Sequence, residues 1–146
     1  MTLTDTNVLL RYLKTNDAQH PAVSRAVNHL QLIGEEIVLV PQNLYEFWAV
    51  ATRPANVNGF GWTVPECGLR IARIKKVFRF LPDPPGLYDT WEKIVVAHDC
   101  KGKPAHDARL VAAMQLHGVS RILTFNTVDF TRYPWLTVLN PAAVAP

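Results

Sequence analysis

The run Gly102-Lys-Pro-Ala-His-Asp-Ala-Arg-Leu-Val-Ala-Ala-Met-Gln-Leu-His-Gly118, followed by Val119-Ser-Arg-Ile-Leu-Thr-Phe-Asn-Thr-Val-Asp-Phe130, decides the fold. Its first half reads as a helix. Pro104 suits a first helical turn, where a missing N–H costs nothing. Leu110, Val111 and Met114 form an apolar stripe, and Gly118 is a stop signal. The second half is a short apolar strand, Ile122 and Leu123, running into a polar turn. On this reading Asp107 belongs to the helix's opening turn, and Asn126 and Asp129 lie just past the strand. A parallel, central strand would put those groups at its C-terminal end, where open α/β sheets bind ligands.

Upstream, the same alternation repeats. Met1 to Thr4 is a short strand ending at Asp5, with Thr6 and Asn7 opening a helix that carries Val8, Leu9, Tyr12 and Leu13. After turn residues at 16–20, Pro21 to Leu32 spaces Val23, Ala26, Val27 and Leu30 on one helical face, and Gly34 ends it. Ile37 to Val40 is an apolar, β-branched run suited to a strand buried on both faces. Pro41 opens a helix holding Leu44, Phe47, Trp48 and Ala51, and Glu46 sits within it. A charged carboxylate there needs water, a cation or a partner. Arg53 to Trp62 is a long Asn- and Gly-containing loop, and Pro65 to Phe78 is a basic helix. Phe80 and Leu81 end an edge strand, Leu87 to Ala97 is a helix, and Thr137 to Leu139 is a last strand. Strands alternating with helices imply a mainly parallel sheet covered on both faces. The chain of 146 residues is expected to be a single domain, 1–146.

Composition narrows the class. Hydrophobic residues make up 49% and charged residues 18%, which favours a packed core over disorder. Cys67 and Cys100 have neither metal-type nor disulfide-framework spacing, so free thiols in a reducing cytoplasm are expected. No membrane span or signal peptide is expected, because Asp5 and Arg11 interrupt the N-terminus. There is no Gly-x-Ser-x-Gly context around Ser24 or Ser120, no dinucleotide or phosphate-loop glycine motif, and no zinc-type Cys/His set.

Four acids remain in corresponding places: Asp5, Glu46, Asp107 and Asp129. Only the fold can bring them together. Converged carboxylates repel, which raises some of their pKa values. Mg²⁺ or Mn²⁺, both oxygen-seeking, removes that conflict and supplies charge neutralisation for phosphodiester hydrolysis. Setting the four acids aside leaves 15 basic against 8 acidic residues, a body suited to a polyanionic substrate. Arg70, Arg73, Lys76, Arg79 and Lys103 are the candidates for phosphate contact; a charge run is also the ordinary signature of a solvated face.

Together these residues resemble the PIN-domain family, and within it the VapC-type toxins of toxin–antitoxin pairs. The resemblance rests on Asp5-x-Asn7, Glu46, the Ala51-Thr-Arg-Pro54 run with its Asn-Gly loop, the run His106 to Ala113, and Thr124-Phe-Asn-x-x-Asp-Phe130. It implies a three-layer α/β/α sandwich and a Mg²⁺- or Mn²⁺-dependent endoribonuclease. It also implies a homodimer that cuts RNA such as tRNA or ribosomal RNA and is silenced by a VapB-type antitoxin. By position it makes Asp5, Glu46 and Asp107 the metal-site acids. Asn126 stands where many relatives have Asp, which leaves the fourth acidic place open between Asn126 and Asp129. Thr6, Asn7 and Thr124 match places that orient the acids or bound water. The alternatives are a non-catalytic PIN-fold binding module, a metal-dependent DNase, and an aspartyl-nucleophile phosphatase with Asp5 attacking. The haloacid-dehalogenase-type phosphatases use Asp-x-Asp, against which Asn7 counts.

Overall fold

The computed structural model describes residues 1–144. Its strands are β1 (Thr2–Thr4), β2 (Ile37–Leu39), β3 (Arg79–Phe80), β4 (Arg121–Leu123) and β5 (Thr137–Leu139). Its helices are α1 (Thr6–Leu13), α2 (His20–Leu32), α3 (Pro41–Thr52), α4 (Val64–Val77), α5 (Leu87–Ala97) and α6 (Lys103–His117). The five strands form one sheet in the order β3-β2-β1-β4-β5, and every pairing is parallel. The chain builds outward from β1 to β3 and then returns to add β4 and β5 on the other side. The reversal point is the crevice between β1 and β4, the place where such sheets bind ligands.

Alternation along the strands sorts the core into two layers. Leu3, Val38 and Ile122 point to the face covered by α5 and α6, against Leu110, Val111 and Met114. Ile37, Leu39 and Leu123 point to the face covered by α1 to α4, against Leu9, Val27, Phe47 and Ile74. This is the expected α/β/α sandwich, with four helices on one face and two on the other. Each fully buried Leu, Val or Met contributes roughly 1.5–3 kcal/mol, so α6 is held by tertiary burial of its stripe rather than by helix propensity.

Local chemistry sets the helix boundaries. The Asp5 carboxylate accepts the Thr6 N–H and caps α1. Gly102, at φ +70°, turns the chain into α6, and Gly118, at φ +71°, closes it in the left-handed conformation that favours glycine. The helix thus begins at Lys103, and Asp107 lies one turn inside it rather than in its opening turn. The 53–62 loop is tighter than its length suggests. Gly61 N–H donates to the Arg53 carbonyl at 2.8 Å and Trp62 N–H to the Ala51 carbonyl at 2.9 Å. A Cβ on Gly59 would stand 1.8 Å from the Arg53 carbonyl oxygen, so only glycine fits there. Phe60 and Trp62 then pack back onto the α3 side of the core.

Candidate active site

Asp5 leaves the end of β1 into the β1/β4 crevice and is buried, with 8% of its surface exposed. Its Oδ1 accepts the Thr6 N–H at 2.7 Å; its Oδ2 accepts the Thr124 hydroxyl at 2.7 Å and the Asn7 amide at 3.1 Å. Thr124 follows β4, so this contact joins the two strands' C-terminal ends. The same hydroxyl accepts the Asn126 N–H at 3.0 Å and the Asn7 amide at 3.2 Å. One donor and two acceptor sites are thereby all used. Asn7 is fixed in turn, its Oδ1 accepting the Phe125 N–H at 3.2 Å. Asn7 and Thr124 thus hydrogen-bond Asp5, and the Thr6 hydroxyl hydrogen-bonds Glu46.

The second acid arrives from α3. Glu46 Oε2 accepts the Thr6 hydroxyl at 2.7 Å, and Oε1 accepts the Gln42 amide at 2.8 Å. The third arrives from α6. Asp107 is half-buried, and Lys103, one turn before it, lies 3.6 Å from its Oδ2. Lys103 also reaches Asp129 Oδ2 at 2.8 Å, from the short turn Thr127–Phe130 after β4. Asn126 is exposed. It serves the site through its backbone: its N–H meets Thr124, and its carbonyl accepts the Asp129 N–H at 3.1 Å.

The electrostatics follow from burial. Desolvation pushes the Asp5 carboxyl up to about 6, against the pull of the Thr124 and Thr6 hydrogen bonds and with added repulsion from Asp107 and Glu46. Asp107 is also raised, first by desolvation and then by Asp129 and Glu46, while Lys103 draws it back. The Lys103 ammonium is held above its ordinary range by its hydrogen bond to Asp129. Asp5 and Glu46 have no cationic partner among the described residues.

These residues fit a hard divalent ion. The donors are all oxygen, two of the acids are destabilised as anions, and two lack a countercharge. Among the described residues, no three carboxylate, thiol or imidazole groups stand close enough to ligate one ion jointly as placed.

The basic residues do not share one place. Arg70 ion-pairs with Glu66 at 3.4 Å and stacks over Trp62 at 4.7 Å. Arg73 and Lys76 are exposed on α4. Arg79 begins β3 and pairs with Glu36 at 2.8 Å. Lys76 and Arg79 lie with Glu35, Glu36 and Ile37 around a cavity at the sheet's N-terminal edge, opposite the acids. Of the five, only Lys103 touches the acids. Between α5 and α6 runs a largely apolar cleft of about 550 Å³, lined by Leu87, Tyr88, Trp91, Ala105, His106 and Arg109. The Trp91 indole N–H, donating to the Ala105 carbonyl at 2.7 Å, fixes its ring there.

A sequence model of the PIN domain matches residues 2–136. The chain belongs to the PIN-domain family. Solved PIN-type structures share its fold. One is VapBC2 from Rickettsia felis bound to a DNA fragment from their promoter: TM-score 0.69, 12% identity, 95% of this chain and 97% of that one covered. Another is FitAcB from Neisseria gonorrhoeae: TM-score 0.68, 20% identity, coverage 98% and 99%. A third is Mycobacterium tuberculosis VapC20, described as a sarcin-ricin loop cleaving toxin: TM-score 0.62, 19% identity, coverage 84% and 87%. No functionally curated protein matches the chain.

Within this PIN domain, sequence reasoning missed Gln42, Asn43 and Arg109. Gln42 is buried. Its amide donates to Glu46 and, at 3.0 Å, to the His106 carbonyl, and its Oε1 accepts Arg109 at 3.2 Å. Arg109 continues to Asp83 at 3.0 Å. Asn43 Oδ1 accepts the Val40 N–H at 2.9 Å, and its amide reaches Thr6 at 3.4 Å. Gln42 had a signal: an amide four residues before a carboxylate on a helix shares its face. His106 contributes its backbone carbonyl, and its side chain is exposed.

Proposed function

We propose that this PIN domain is a divalent-metal-dependent endoribonuclease, the toxin of a toxin–antitoxin pair. The observation that carries the reading is the meeting of Asp5, Glu46 and Asp107 at the β1/β4 reversal point, with Asp5 buried, uncompensated and raised to about 6. Asp5, Glu46 and Asp107 would hold Mg²⁺ or Mn²⁺. When bound, the ion lowers the pKa of a coordinated water and neutralises charge on a phosphoryl oxygen. The chain's own residues prepare the site. Thr124, Asn7 and the Thr6 N–H aim the Asp5 carboxylate, Thr6 and Gln42 aim Glu46, and burial keeps bulk water from screening the acids.

RNA as substrate draws support from VapC20, a PIN-fold protein described as a sarcin-ricin loop cleaving toxin. The cleft lined by Tyr88, Trp91 and His106, the sequence neighbour of Asp107, offers aromatic surface to an unpaired base. Lys103 is the phosphate contact the geometry favours, ahead of Arg70, Arg73, Lys76 and Arg79. Structures of related fold hold toxins with antitoxins, and a VapB-type antitoxin is the partner we assign. A homodimer is part of the same reading. Exposed Tyr45, Val64 and Leu69 on α3 and α4 give partner chains apolar surface.

The test is cleavage of a mixed cellular RNA pool by antitoxin-free protein with Mg²⁺, Mn²⁺ or EDTA, alongside Asp5→Asn and Asp107→Asn. Discrete cuts that need metal and vanish in both variants are expected, with losses of at least about a hundredfold. Cutting that survives EDTA and both substitutions would overturn the reading. A parallel DNA substrate separates RNase from DNase action.

A further inference from the structure

Lys103 stands between two carboxylates that otherwise repel each other. Its Nζ lies 2.8 Å from Asp129 Oδ2 and 3.6 Å from Asp107 Oδ2. The two acids belong to different elements, α6 and the turn after β4, so the ammonium ties the start of α6 across the cleft. Its position is built into the backbone. Gly102 at φ +70° forces α6 to begin at Lys103, which puts Asp107 one helical turn on, within reach of the same side chain. The Lys103 side chain is 65% exposed. An ammonium has three donors, and two face carboxylates. The third is free to meet a phosphate.

We propose that Lys103 is the second cation of this site, in the place a second divalent ion would take between Asp107 and Asp129. The proposal rests on the nuclease reading above and gives it a stoichiometry. One divalent ion would be held by Asp5, Glu46 and Asp107, in part through its bound waters, and one fixed positive charge is supplied by the chain. Asp129 is then a positioning residue that aims Lys103, not a metal ligand. Lys103 would place its ammonium against a phosphate oxygen of the RNA, adding to the charge neutralisation that a bound ion would supply. A monovalent ammonium on a flexible stem is a weaker electrophile than a divalent ion. It binds phosphate as a point charge and lowers the pKa of no water.

The experiment counts ions. Mn²⁺ is titrated calorimetrically into the full chain, with electron paramagnetic resonance reporting free Mn²⁺. One ion per chain is expected for the wild type. Lys103→Met frees Asp107 and Asp129 and is expected to bind two. Lys103→Met combined with Asp129→Asn removes the second place and returns the count to one. Lys103 is exposed enough that its removal leaves the fold intact, which thermal melting checks. In RNA cleavage, Lys103→Met is expected to lose about tenfold or more at limiting Mn²⁺ and to recover as Mn²⁺ is raised, while Lys103→Arg retains most activity. Two ions in the wild type, or one in Lys103→Met, overturns the proposal. Either result leaves the nuclease reading standing if cleavage still needs metal. No ion in any of the proteins overturns both.

Discussion

The two edges of the sheet use the same parts to opposite ends. At the N-terminal edge, the buried Thr2 donates its hydroxyl to Glu35 at 2.7 Å. At the C-terminal edge, the buried Thr124 donates its hydroxyl to Asp5 at the same 2.7 Å. Around Glu35 stand the Met1 ammonium at 3.1 Å and Arg121 at 3.9 Å. The Thr2 hydrogen bond and these charges hold its carboxyl below the ordinary range. Around Asp5 stand Glu46 and Asp107, and burial lifts it to about 6. A hydroxyl donor therefore does not by itself make a carboxylate comfortable; burial and the charge of the neighbours decide. The lower edge is neutralised and structural. The upper edge is left short of positive charge, and that deficit is its chemical capacity.

The contrast breaks most visibly at the two threonines. Thr124→Val strips Asp5 of a donor and leaves the Asn126 N–H without its acceptor. About 2–3 kcal/mol of stability should be lost, the Asp5 pKa should climb further, and Mn²⁺ affinity should drop about tenfold or more. Thr2→Val should lose about 1 kcal/mol and leave Mn²⁺ affinity unchanged. Chemical denaturation, an NMR titration of Asp5 and calorimetry read the three effects. Equal losses of Mn²⁺ affinity in both variants would erase the distinction between the edges.

Acidification should act on the edges with opposite sign. Between about 4 and 6 the folded Asp5 holds a proton that the unfolded chain, with a pKa near 3.8, does not. Its contribution therefore favours the fold as pH falls through that window, by at most about 3 kcal/mol. The stability that Glu35 contributes is complete above its ordinary pKa and is lost as pH falls through its depressed value. Because an ion needs Asp5 ionised, Mn²⁺ affinity should fall about tenfold per pH unit below 6. Metal-free melting curves of wild type against Asp5→Ala, and Mn²⁺ titrations from pH 5 to 8, give both signs. Flat Mn²⁺ affinity across that range would show that Asp5 is not a ligand.

A smaller effect is expected one shell out. Gln42→Leu removes a donor from Glu46 and from the His106 carbonyl, and an acceptor from Arg109. Mn²⁺ affinity should weaken roughly tenfold, with about 1–2 kcal/mol of stability lost. The smallest effect is expected at the lower edge. Lys76→Ser with Arg79→Ser should leave RNA binding within about twofold and its salt dependence unchanged, whereas Lys103→Met should reduce the salt slope by about one. Filter binding across a salt series separates them.

The layers of this fold were legible because periodicity is a local property. The stripe of Leu110, Val111 and Met114 and the alternation of Ile122 and Leu123 each announce a face without reference to the rest of the chain. The candidate acids Asp5, Glu46 and Asp107 were singled out by their places at or after strand ends together with the family resemblance. Gln42 and Arg109 were not, because their meaning depends on α3 and α6 lying side by side. Asp107 falls just past the opening turn because α6 begins at Lys103, one residue before Pro104. The basic run from Arg70 to Arg79 looked continuous in sequence, yet its end pairs with Glu36 at the far edge, because a helix that returns the chain between parallel strands carries its last turn away from the strands' C-terminal ends.

The hydrogen bond from Thr124 to Asp5 closes a loop of 119 residues. On a ribosome, Asp5 and Glu46 emerge long before Thr124 is made. Until β4 slots beside β1, the first strand has only one hydrogen-bonded neighbour, β2, and the acids have no crevice to line. The crevice is thus finished only after Thr124 has been made. At the usual pace of about 5–20 residues per second, several seconds separate the appearance of Asp5 from closure of the crevice around it, an interval in which a nascent chain carries the acids without the geometry that gathers them.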